Sequence, residues 1–511
     1  MRQRDAALAI LQEYPVLARQ LVVHIEGWVN FSLEFLRYLA DDWQLLRNTF
    51  AHGDDPGVLL ELYGGAGDSH RSGRSVLIAK FSSGLHMVYK PRTLSVDVHF
   101  QELLAWLNGR GDHPPFRTLQ ILDRGDHGWM EFVAAHACRS EEEVRRFYER
   151  QGAYLALLYA LEATDFHSEN LIAAGEHPVL LDLEALFHPR VGGVDPLQAE
   201  QLAGNTINYS VLRVGLLPNR SWSDGESAGI DVSGLGALPG QLTPRPVPRW
   251  EDAGTDEMRL TRKRTEMPPH HNRPALDGAE INVLEYTNAI LAGFTSTYET
   301  LLEHRDDLLS DQGPLARFAE DEVRAIMRPT QTYAVLLRES FHPDVLRDAL
   351  DRDQLFDRLW ATVEYCPYLA KVIPAEHQDL QNGDIPIFTS RPNSRDLWTS
   401  SRQRIADFFD EPGIVRVRRR IQELGDHDCT QQLWFIRASL ATLSKAGDGT
   451  RRSAHFPTEA SAPADRERLL LAARRVGDRL EELALRGEQD RSWIGLTLAN
   501  LHEWSLGVCR E

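Results

Sequence analysis

The feature that most constrains the fold is an ordered series of polar residues placed between short apolar segments. Lys90 ends the second of two strand-like segments, and a long helix-like stretch follows. The chain then reads Asp165-Phe-His-Ser-Glu-Asn170, with the acid and the amide five positions apart. Two short strand-like segments lead from there to Asp182-Leu-Glu184. This order of strands, helix, polar loop, hairpin and acid predicts a two-lobed fold rather than a doubly wound sheet.

The spacing is typical of phosphoryl transfer. Protein kinases hold nucleotide phosphates with a strand lysine, and an Asp-x-x-x-x-Asn loop, a hairpin and an Asp position the hydroxyl and the metal ions. The pattern therefore predicts Lys90 at the phosphates, Asp165 as the acid that accepts the hydroxyl proton, and Asn170 and Asp182 as metal ligands. The alternatives are a solvated turn capped by Asp and Asn and a surface lysine. Lysine occurs only five times beside 51 arginines, which favours a specific role for Lys90.

Two further groups are candidates beside this core. His167, inside the polar loop, changes charge near neutral pH and is suited to act as an acid or base in another step. The alternative is a structural loop histidine. Residues 67–75 (GDSHRSGRS) form a cationic turn whose backbone amides, with Arg71 or Arg74, are suited to cover phosphates. This turn does not match the P-loop motif.

A pair of arginines occurs later, in the stretch VRAIMRPTQTY (323–333). Arg324 and Arg328 are four positions apart, which places them on one face of a predicted helix. Pro329 ends that turn and Thr330 follows, so that two guanidiniums and a hydroxyl are available to hold a phosphate. The alternative is a chance spacing in an arginine-rich chain, and the residues alone leave it open.

Composition limits the classes of function. The chain has 511 residues, 42% apolar and 26% charged, the balance of a soluble globular protein. A net charge of −19 argues against nucleic-acid binding, which needs a cationic face. No run of about 18 apolar residues predicts a membrane span, and the N-terminal segment lacks a signal peptide's apolar core, so a cytoplasmic location is expected. The four cysteines form no C-x-x-C pair, and no zinc site is expected.

The pattern of apolar residues divides the chain into helical and extended regions. Ser82-Ser83-Gly84 predicts the turn of a first hairpin, and the segment from Gly125 to Gly128 predicts the turn of a second. The predicted helical regions are 7–50, 141–163, 281–370 and 398–511, with a long excursion over 219–280, a short extended element at 382–388 and a polar interruption at 445–465.

These residues resemble the dehydratase domain of class II lanthipeptide synthetases, the LanM family. The resemblance covers roughly residues 14 to 505 and is carried by several distinctive segments. They include GDSHRSGRSV, VYKPRTLSVDVHFQELLAWLN, GWMEFV, FYERQGAYLALLYALEATDFHSENLIAAGEHPVLLDLEALFHP, DVSGLGA, GFTSTYETLL, RPTQTY and GDIPIF.

The resemblance implies an α+β, two-lobed kinase-like fold, closest to lipid kinases, with extensive added helices. The expected division is a helical segment and β-rich lobe over 1–135, a second lobe over 136–400 that carries the 219–280 insertion and the elimination elements, and a C-terminal helical subdomain over 401–511. The whole chain is expected to form one dehydratase unit.

The family implies two reactions in one site. ATP and Mg²⁺ first phosphorylate Ser or Thr of a ribosomal precursor peptide, which has a leader and a core, and phosphate is then eliminated to give dehydroalanine or dehydrobutyrine. By position, Asp165 serves phosphorylation, and Asn170 and Asp182 hold magnesium. The remaining roles fall to nucleotide-site residues (Lys90, Arg74 and Glu184) and to elimination residues (Lys90, His167, Arg324, Thr330 and, beside them, Arg328).

The chain also departs from the family pattern. The family's C-terminal zinc cyclase has no counterpart here, so ring formation is not expected, and a separate cyclase is an optional partner. A stand-alone dehydratase and a fragment both fit this length. Two other functions stay open: a kinase-like peptide phosphotransferase without elimination, and a non-catalytic scaffold that binds the leader peptide.

Overall fold

The computed structural model describes residues 3–65, 67–191, 198–221, 229–243, 245–444, 466–500 and 503–509. The polar interruption predicted at 445–465 lies outside these residues. Helices and strands are both well represented, which confirms the predicted α+β class in its general form. The finer prediction, a kinase-like arrangement of two lobes, remains a prediction.

The N-terminal region combines two helices with an antiparallel sheet. Its elements are α1 (Arg4–Glu13), α2 (Pro15–Phe50), β1 (Leu59–Tyr63), β2 (Leu77–Phe81), β3 (His86–Lys90), α3 (Ser95–Asn108), β4 (Ile121–Asp123) and β5 (Gly128–Glu131). The five strands follow the order β1-β2-β3-β5-β4. Both predicted hairpins are confirmed, because β2 pairs with β3 and β4 pairs with β5.

Helix α2 is held on this sheet by an apolar face and one buried acid. Phe35 and Leu46, on the inner face of the helix, pack in one core cluster with Trp129 of β5. Asp42 lies on the same face and accepts hydrogen bonds from Trp129 Nε1 at 2.9 Å and from His127 Nε2 at 2.8 Å. A buried carboxylate needs such donors to offset its lost hydration, so α2 has one stable position over the strands.

Within the described residues, no single helix is long and apolar enough to cross a membrane. Helices α1 and α2 meet that length and composition only as a pair, and the pair is bent by 108°.

The central region surrounds a helix, α4, whose residues from Arg150 to Ala160 are all buried. Its helices are α4 (Glu141–Ala160), α5 (Ala199–Asn208), α6 (Thr287–Glu303) and α7 (Arg305–Leu309). Its strands are β6 (Leu171–Ala174), β7 (His177–Leu180), β8 (Arg220–Ser221), β9 (Ile230–Asp231), β10 (Val247–Glu251), β11 (Arg259–Lys263), β12 (Ala275–Leu276) and β13 (Ala279–Glu280). The described residues of the predicted excursion over 219–280 therefore contain three short antiparallel strand pairs.

Two glycines allow α4 and α6 to cross backbone to backbone. A Cβ atom added to Gly152 would lie 1.9 Å from the carbonyl oxygen of Ile290, and one added to Gly293 would lie 1.8 Å from that of Glu149. Neither carbonyl can move without breaking its helix. The crossing sets the depth of α4, whose C-terminal end leads directly into the polar loop at 164–170.

We expect Gly293→Ala to destabilise the protein by at least about 1–3 kcal/mol, the usual cost of overpacking a core. Gly204→Ala in α5 is the matched control, because its Cβ would meet nothing within 4 Å. The control should be neutral or slightly stabilising, since alanine is the better helix former. Urea unfolding followed by tryptophan fluorescence measures both variants. Equal stabilities for the two would contradict the close crossing.

The third region carries a small four-stranded sheet and several short helices. Its elements are β14 (Val323–Arg324), α8 (Thr330–Glu339), α9 (Ala349–Phe356), α10 (Ile373–Gln381), β15 (Thr389–Ser390), β16 (Leu397–Trp398) and β17 (Arg404–Ile405). The prediction that Arg324 and Arg328 share a helical face is wrong. Arg324 pairs with Thr389 as part of a strand, and α8 begins only after Pro329.

The C-terminal region is only partly helical. It contains α11 (Gly413–Glu423), α12 (Asp426–Ala441), α13 (Arg466–Leu483), β18 (Leu485–Arg486), β19 (Arg491–Asn500) and β20 (Glu503–Cys509). The predicted helix is wrong over 485–500 and 503–509, where β19 and β20 form a hairpin. The physical reason is a period of two in the apolar residues, which pairs Ile494 with Val508 and Leu496 with Leu506 across the strands.

Candidate active site

Four separate segments meet at one polar centre. They are the end of β3, the loop after α4, the segment after β7, and β14. Lys90, at the end of β3, is buried and donates from Nζ to the carbonyl oxygen of Leu181 at 2.6 Å. The same Nζ lies 3.7 Å from Asp97 Oδ1 in the first turn of α3. Lys90 is thus fixed beside Asp182, between the segment after β7 and helix α3.

Arg92 joins more of these groups than any predicted residue does. Its Nη1 donates to Asp97 Oδ2 at 2.8 Å and its Nη2 donates to Asp182 Oδ1 at 3.2 Å. Its Nε lies 3.5 Å from Glu184 Oε2. Burial opposes the charge, but the three carboxylates outweigh it and raise the pKa of Arg92 above its ordinary value. Sequence reasoning missed both Arg92 and Asp97.

A signal for these two residues was present but weak. Arg92 lies only two positions after Lys90, but it is in a bend between β3 and α3, where the alternation of a strand no longer applies. Asp97 lies in the first turn of a predicted helix, where an acid is ordinarily explained by the helix dipole. Only the fold shows that Asp97 is almost fully buried and serves both cations.

The polar loop holds Asp165 in an uncommon backbone conformation. Asp165 has a φ of 71°, in the left-handed region. Asn170 stabilises this turn by donating from Nδ2 to the carbonyl oxygen of Asp165 at 2.9 Å. His167 Nε2 lies 3.7 Å from Asp165 Oδ1. The loop is also hydrogen-bonded to a segment later in the sequence, since Ser168 N donates to the carbonyl oxygen of Val232 at 2.9 Å.

The two aspartates of the site differ in their preferred protonation state. Burial raises the pKa of Asp165 above its usual range, and this effect exceeds the opposing influence of His167 and Arg324. Burial also acts on Asp182, but there Lys90 and Arg92 outweigh it and lower the pKa. Neighbouring carboxyl groups with pKa values displaced in opposite directions are typical of a division into proton-transferring and permanently charged roles.

Arg324 and Thr330 are brought together at the other side of Glu184. Arg324 Nη1 donates to Glu184 Oε1 at 2.8 Å, and its Nη2 donates to Thr330 Oγ1 at 3.3 Å. The backbone N–H of Arg324, in β14, also donates to the carbonyl oxygen of Glu184 at 2.6 Å. Although burial disfavours its charge, Glu184 raises the pKa of Arg324 above its ordinary value. Arg324 is therefore a fixed cation facing the two aspartates.

Arg328 does not join this group. Its Nε donates to Glu376 Oε1 at 2.8 Å and its Nη2 donates to the carbonyl oxygen of Leu359 at 3.1 Å. Tyr333 donates its hydroxyl to the same Glu376 oxygen at 2.6 Å. Arg328 and Glu376 are both buried, and a buried ion pair of this kind mainly organises the packing around it.

Arg74, predicted at the nucleotide, is also engaged elsewhere. Its guanidinium donates to both carboxylate oxygens of Glu34, at 2.9 and 2.7 Å, and so fastens the turn 67–75 to α2. The opposite side of this turn is held by Asp384, which accepts hydrogen bonds from Ser72 N at 2.6 Å and Gly73 N at 2.9 Å.

The turn contributes a histidine that sequence reasoning missed. His70 Nδ1 lies 2.6 Å from the carbonyl oxygen of Ile385 and must carry the proton there, because a carbonyl only accepts. Burial, helped by the charge of Arg324, lowers the pKa of His70. The imidazole is therefore neutral, with the lone pair on Nε2. His70 lies within GDSHRSGRS (67–75), a segment in which sequence reasoning considered only the arginines as functional side chains.

Beside the turn lies an acid with a strongly displaced pKa. Burial, followed by the charge of Asp384, raises the pKa of Asp379 to about 7, against the lowering effects of Ser400 and Arg71. The folded protein therefore binds a proton at Asp379 more tightly than the unfolded chain does. Stability from this group is fully present below the unfolded pKa of about 3.9 and is lost as the pH rises through about 7.

We expect Asp379→Asn to match the wild type in stability near pH 4 and to exceed it at pH 8, because asparagine cannot ionise. The gain should approach about 1.4 kcal/mol for each unit between the folded and unfolded pKa values. Urea unfolding across this pH range measures the difference. Asp311→Asn is the control, since Asp311 has a 95% exposed side chain and should give no such trend. Parallel pH profiles for wild type and Asp379→Asn would contradict the assignment.

Comparison with known proteins now adds to this geometry. The family model described as "Domain of unknown function (DUF4135)" matches residues 14–391, which include every site residue from Lys90 to Thr330. The chain belongs to the DUF4135 family. This member is also 25% identical, over 511 aligned residues, to the lacticin 481/lactococcin biosynthesis protein LcnDR2 of Lactococcus lactis subsp. lactis.

That alignment covers 96% of this DUF4135 chain and 53% of the relative, so the chain spans about half the length of the curated relative it matches. The two findings confirm the resemblance to class II lanthipeptide synthetases that the motifs predict: the chain is LanM-like.

The DUF4135 site is rich in oxygen ligands and poor in soft ones. In the part of the chain that the structure describes, no cluster of three or more His, Cys, Asp or Glu side chains could hold a metal ion by itself. Asn170 and Asp182 are hard oxygen donors, and Mg²⁺ is commonly bound by one or two carboxylates together with substrate phosphates.

Proposed function

We propose that this chain acts in lanthipeptide biosynthesis as a dehydratase of Ser and Thr in a precursor peptide. It would transfer phosphate from ATP to the side-chain hydroxyl and then eliminate that phosphate. The observation that carries the proposal is the meeting of Asp165 and Asp182 at one polar centre, with the pKa of Asp165 raised and that of Asp182 lowered. The cations Lys90, Arg92 and Arg324 belong to the same centre. The likeness to a lacticin 481/lactococcin biosynthesis protein supports the choice of substrate class.

In the first reaction, the hydroxyl oxygen of Ser or Thr attacks the γ-phosphorus of ATP, and the bond to ADP breaks. Asp165 accepts the hydroxyl proton, which its raised pKa favours. Lys90 and Arg92 are suited to bind the nucleotide's phosphate oxygens, since both are cationic and already fixed by Asp97. Positioning and charge provide most of the catalysis in such transfers.

The donors of Asn170 and Asp182 fit magnesium. The Asn170 side-chain N–H is used by the backbone of Asp165, so its amide oxygen is directed to the other side. The hydrogen bonds that Asp182 accepts from Arg92 and from Glu184 N both end on Oδ1, and Oδ2 has no described partner. When bound, Mg²⁺ would neutralise charge that develops on the phosphates.

In the second reaction, a base removes the α-proton, a carbon–carbon double bond forms, and the Cβ–O bond breaks with release of phosphate. Hydroxide leaves poorly and phosphate leaves well, which explains why phosphorylation comes first. Arg324, with the Thr330 hydroxyl beside it, is suited to stabilise the departing phosphate. His167 is the expected acid or base, and His70 is a second imidazole held in its neutral form near Arg324.

A second function, peptide phosphorylation without elimination, is favoured by one contact. Arg324 is paired with Glu184, and a fully compensated guanidinium would act structurally. This alternative predicts that the wild-type product is the phosphopeptide itself.

We expect Asp165→Asn to lower the rate of peptide phosphorylation by about 10²–10⁴-fold, the usual contribution of a general base. In the wild type, the acid limb of the pH–rate profile should lie above the ordinary range of an aspartate, because the base is lost as the pH falls through its raised pKa. Radiolabelled phosphate transfer measures both quantities. Asp41→Asn, at an exposed position of α2, is the control. Full activity of Asp165→Asn would refute this role.

We expect Arg324→Ala to accumulate phosphorylated, non-dehydrated peptide, because elimination should slow by about 10²–10³-fold on loss of one charge-stabilising donor. Thr330→Ala and His167→Ala should shift the product in the same direction. Mass spectrometry of a co-expressed precursor distinguishes water loss from phosphate gain. Arg437→Ala, exposed on α12, is the control. A wild-type product that carries phosphate and shows no water loss would favour the phosphotransferase instead.

A further inference from the structure

A cavity of about 570 Å³ lies against the catalytic loop. Thr164, Asp165 and His167 form one end of it, whereas the proposed metal ligands Asn170 and Asp182 are not among its described lining residues. Asp165 therefore lines a cavity whose described lining residues do not include the proposed phosphate-binding groups Lys90 and Arg92. The size falls within the range of about 300–1,000 Å³ usual for ligand sites.

We propose that this space, here called the acceptor cavity, admits the Ser or Thr residue and its peptide neighbours to Asp165, and that β20 at the C-terminal end of the chain forms part of its wall. The inference rests on the proposed function and names the route of its peptide substrate. In an in-line transfer the attacking hydroxyl and the departing ADP lie on opposite sides of the phosphorus, which separate binding places for peptide and nucleotide would allow.

The chemistry of the wall suits an uncharged peptide segment. Polar and apolar side chains both line the cavity. They are the amides of Asn208 and Asn219, and the apolar groups of Leu212, Leu217, Val232 and Leu506. Amide side chains can donate to and accept from a peptide backbone, and the apolar groups can cover its side chains.

Two arginines, Arg213 and Arg220, line the wall. Arg213 donates from Nη1 to the buried carboxylate of Glu162 at 2.6 Å. Burial raises the pKa of Asp231, and Arg220 opposes this rise only in part. The residues assigned to the nucleotide and its metal ion are not among the described lining residues. We therefore expect a neutral Ser- or Thr-containing stretch in this cavity rather than the nucleotide.

The wall is also rigidly connected to Asp165. Phe166 N donates to the carbonyl oxygen of Val214 at 2.9 Å, and Gly234 N donates to that of Gly215 at 3.2 Å. Gly215 has a φ of 90°, and a Cβ there would lie 3.1 Å from Phe166 N. An acceptor held by this wall would thus stand at a fixed distance from the base, which is the main source of rate in positioned reactions.

The C-terminal hairpin contributes to the wall from far along the sequence. Ser505 and Leu506 of β20 line the cavity. Asp490, between β18 and β19, accepts a hydrogen bond from Ala199 N of α5 at 2.9 Å, which secures these two strands against the same helix that supplies Asn208.

Leu506→Trp tests the proposal, because added bulk at this position would fill the acceptor cavity. We expect kcat/KM for the peptide to fall at least tenfold, while the affinity for Mg-ATP stays unchanged. The matched control is Leu496→Trp, at the cross-strand partner of Leu506 and outside the lining residues. The substrate is the precursor peptide on which wild-type dehydration is first established.

Cross-linking gives a second readout if Leu506→Trp fails to fold. A precursor with Cys in place of its modified Ser or Thr should form a disulfide with Leu506→Cys, mapped to position 506 by mass spectrometry, and none at 496 with Leu496→Cys. Wild-type dehydration combined with an unaffected Leu506→Trp variant, or with no cross-link at 506, overturns the acceptor cavity alone. Absence of any wild-type modification overturns the proposed function as well.

Discussion

The charge network centred on Arg92 is the interaction on which the site depends. Three cations, Lys90, Arg92 and Arg324, alternate in space with the carboxylates of Asp97, Asp182 and Glu184. A charge removed from water is tolerated only when a partner and hydrogen bonds replace its hydration. The network joins three stretches that are far apart in sequence, residues 90–97, residues 182–184 and β14, so that the N-terminal sheet and the third region's sheet share one electrostatic centre.

The need of each buried charge for a partner also explains why Arg324 and Arg328, four residues apart, have different surroundings. Arg324 takes part in the network because β14 pairs with β15, and the pairing directs its side chain to Glu184. Arg328 lies in a bend four residues later and donates to Glu376, which also accepts a hydrogen bond from Tyr333. Residue type is the same in both cases, and the difference comes from which acid each arginine meets.

Local patterns allowed much of the site to be predicted. The spacing from Asp165 to Asn170 lies within one loop, and the hairpin turns depend on a few adjacent residues, so both could be recognised without tertiary information. Arg92 and Asp97 could not, because their importance arises from contacts with Asp182 and Glu184, which lie far along the chain.

The failed predictions have a similar cause. Val323 and Arg324 form a strand only because residues 389 and 390 are beside them, and a two-residue strand leaves no periodic signal. The C-terminal hairpin did leave a signal of period two, but the helical pattern of the preceding residues obscured it. The prediction for Arg324 failed because a distant strand supplied the partner, and the prediction for the C-terminal hairpin failed because the helical pattern before it was extended over two adjacent strands.

The backbone of Asp165 restricts how this position can change over time. A φ of 71° is accessible to Gly, Asn and Asp at little cost, whereas other residues pay for it in strain. A lineage that no longer needed the carboxylate could thus lose it by a change to Asn or Gly while keeping the loop folded. Gene duplicates that have lost the enzyme activity and kept only binding should therefore carry Asn or Gly at this position. An Ala there would indicate that the loop has also changed its backbone conformation.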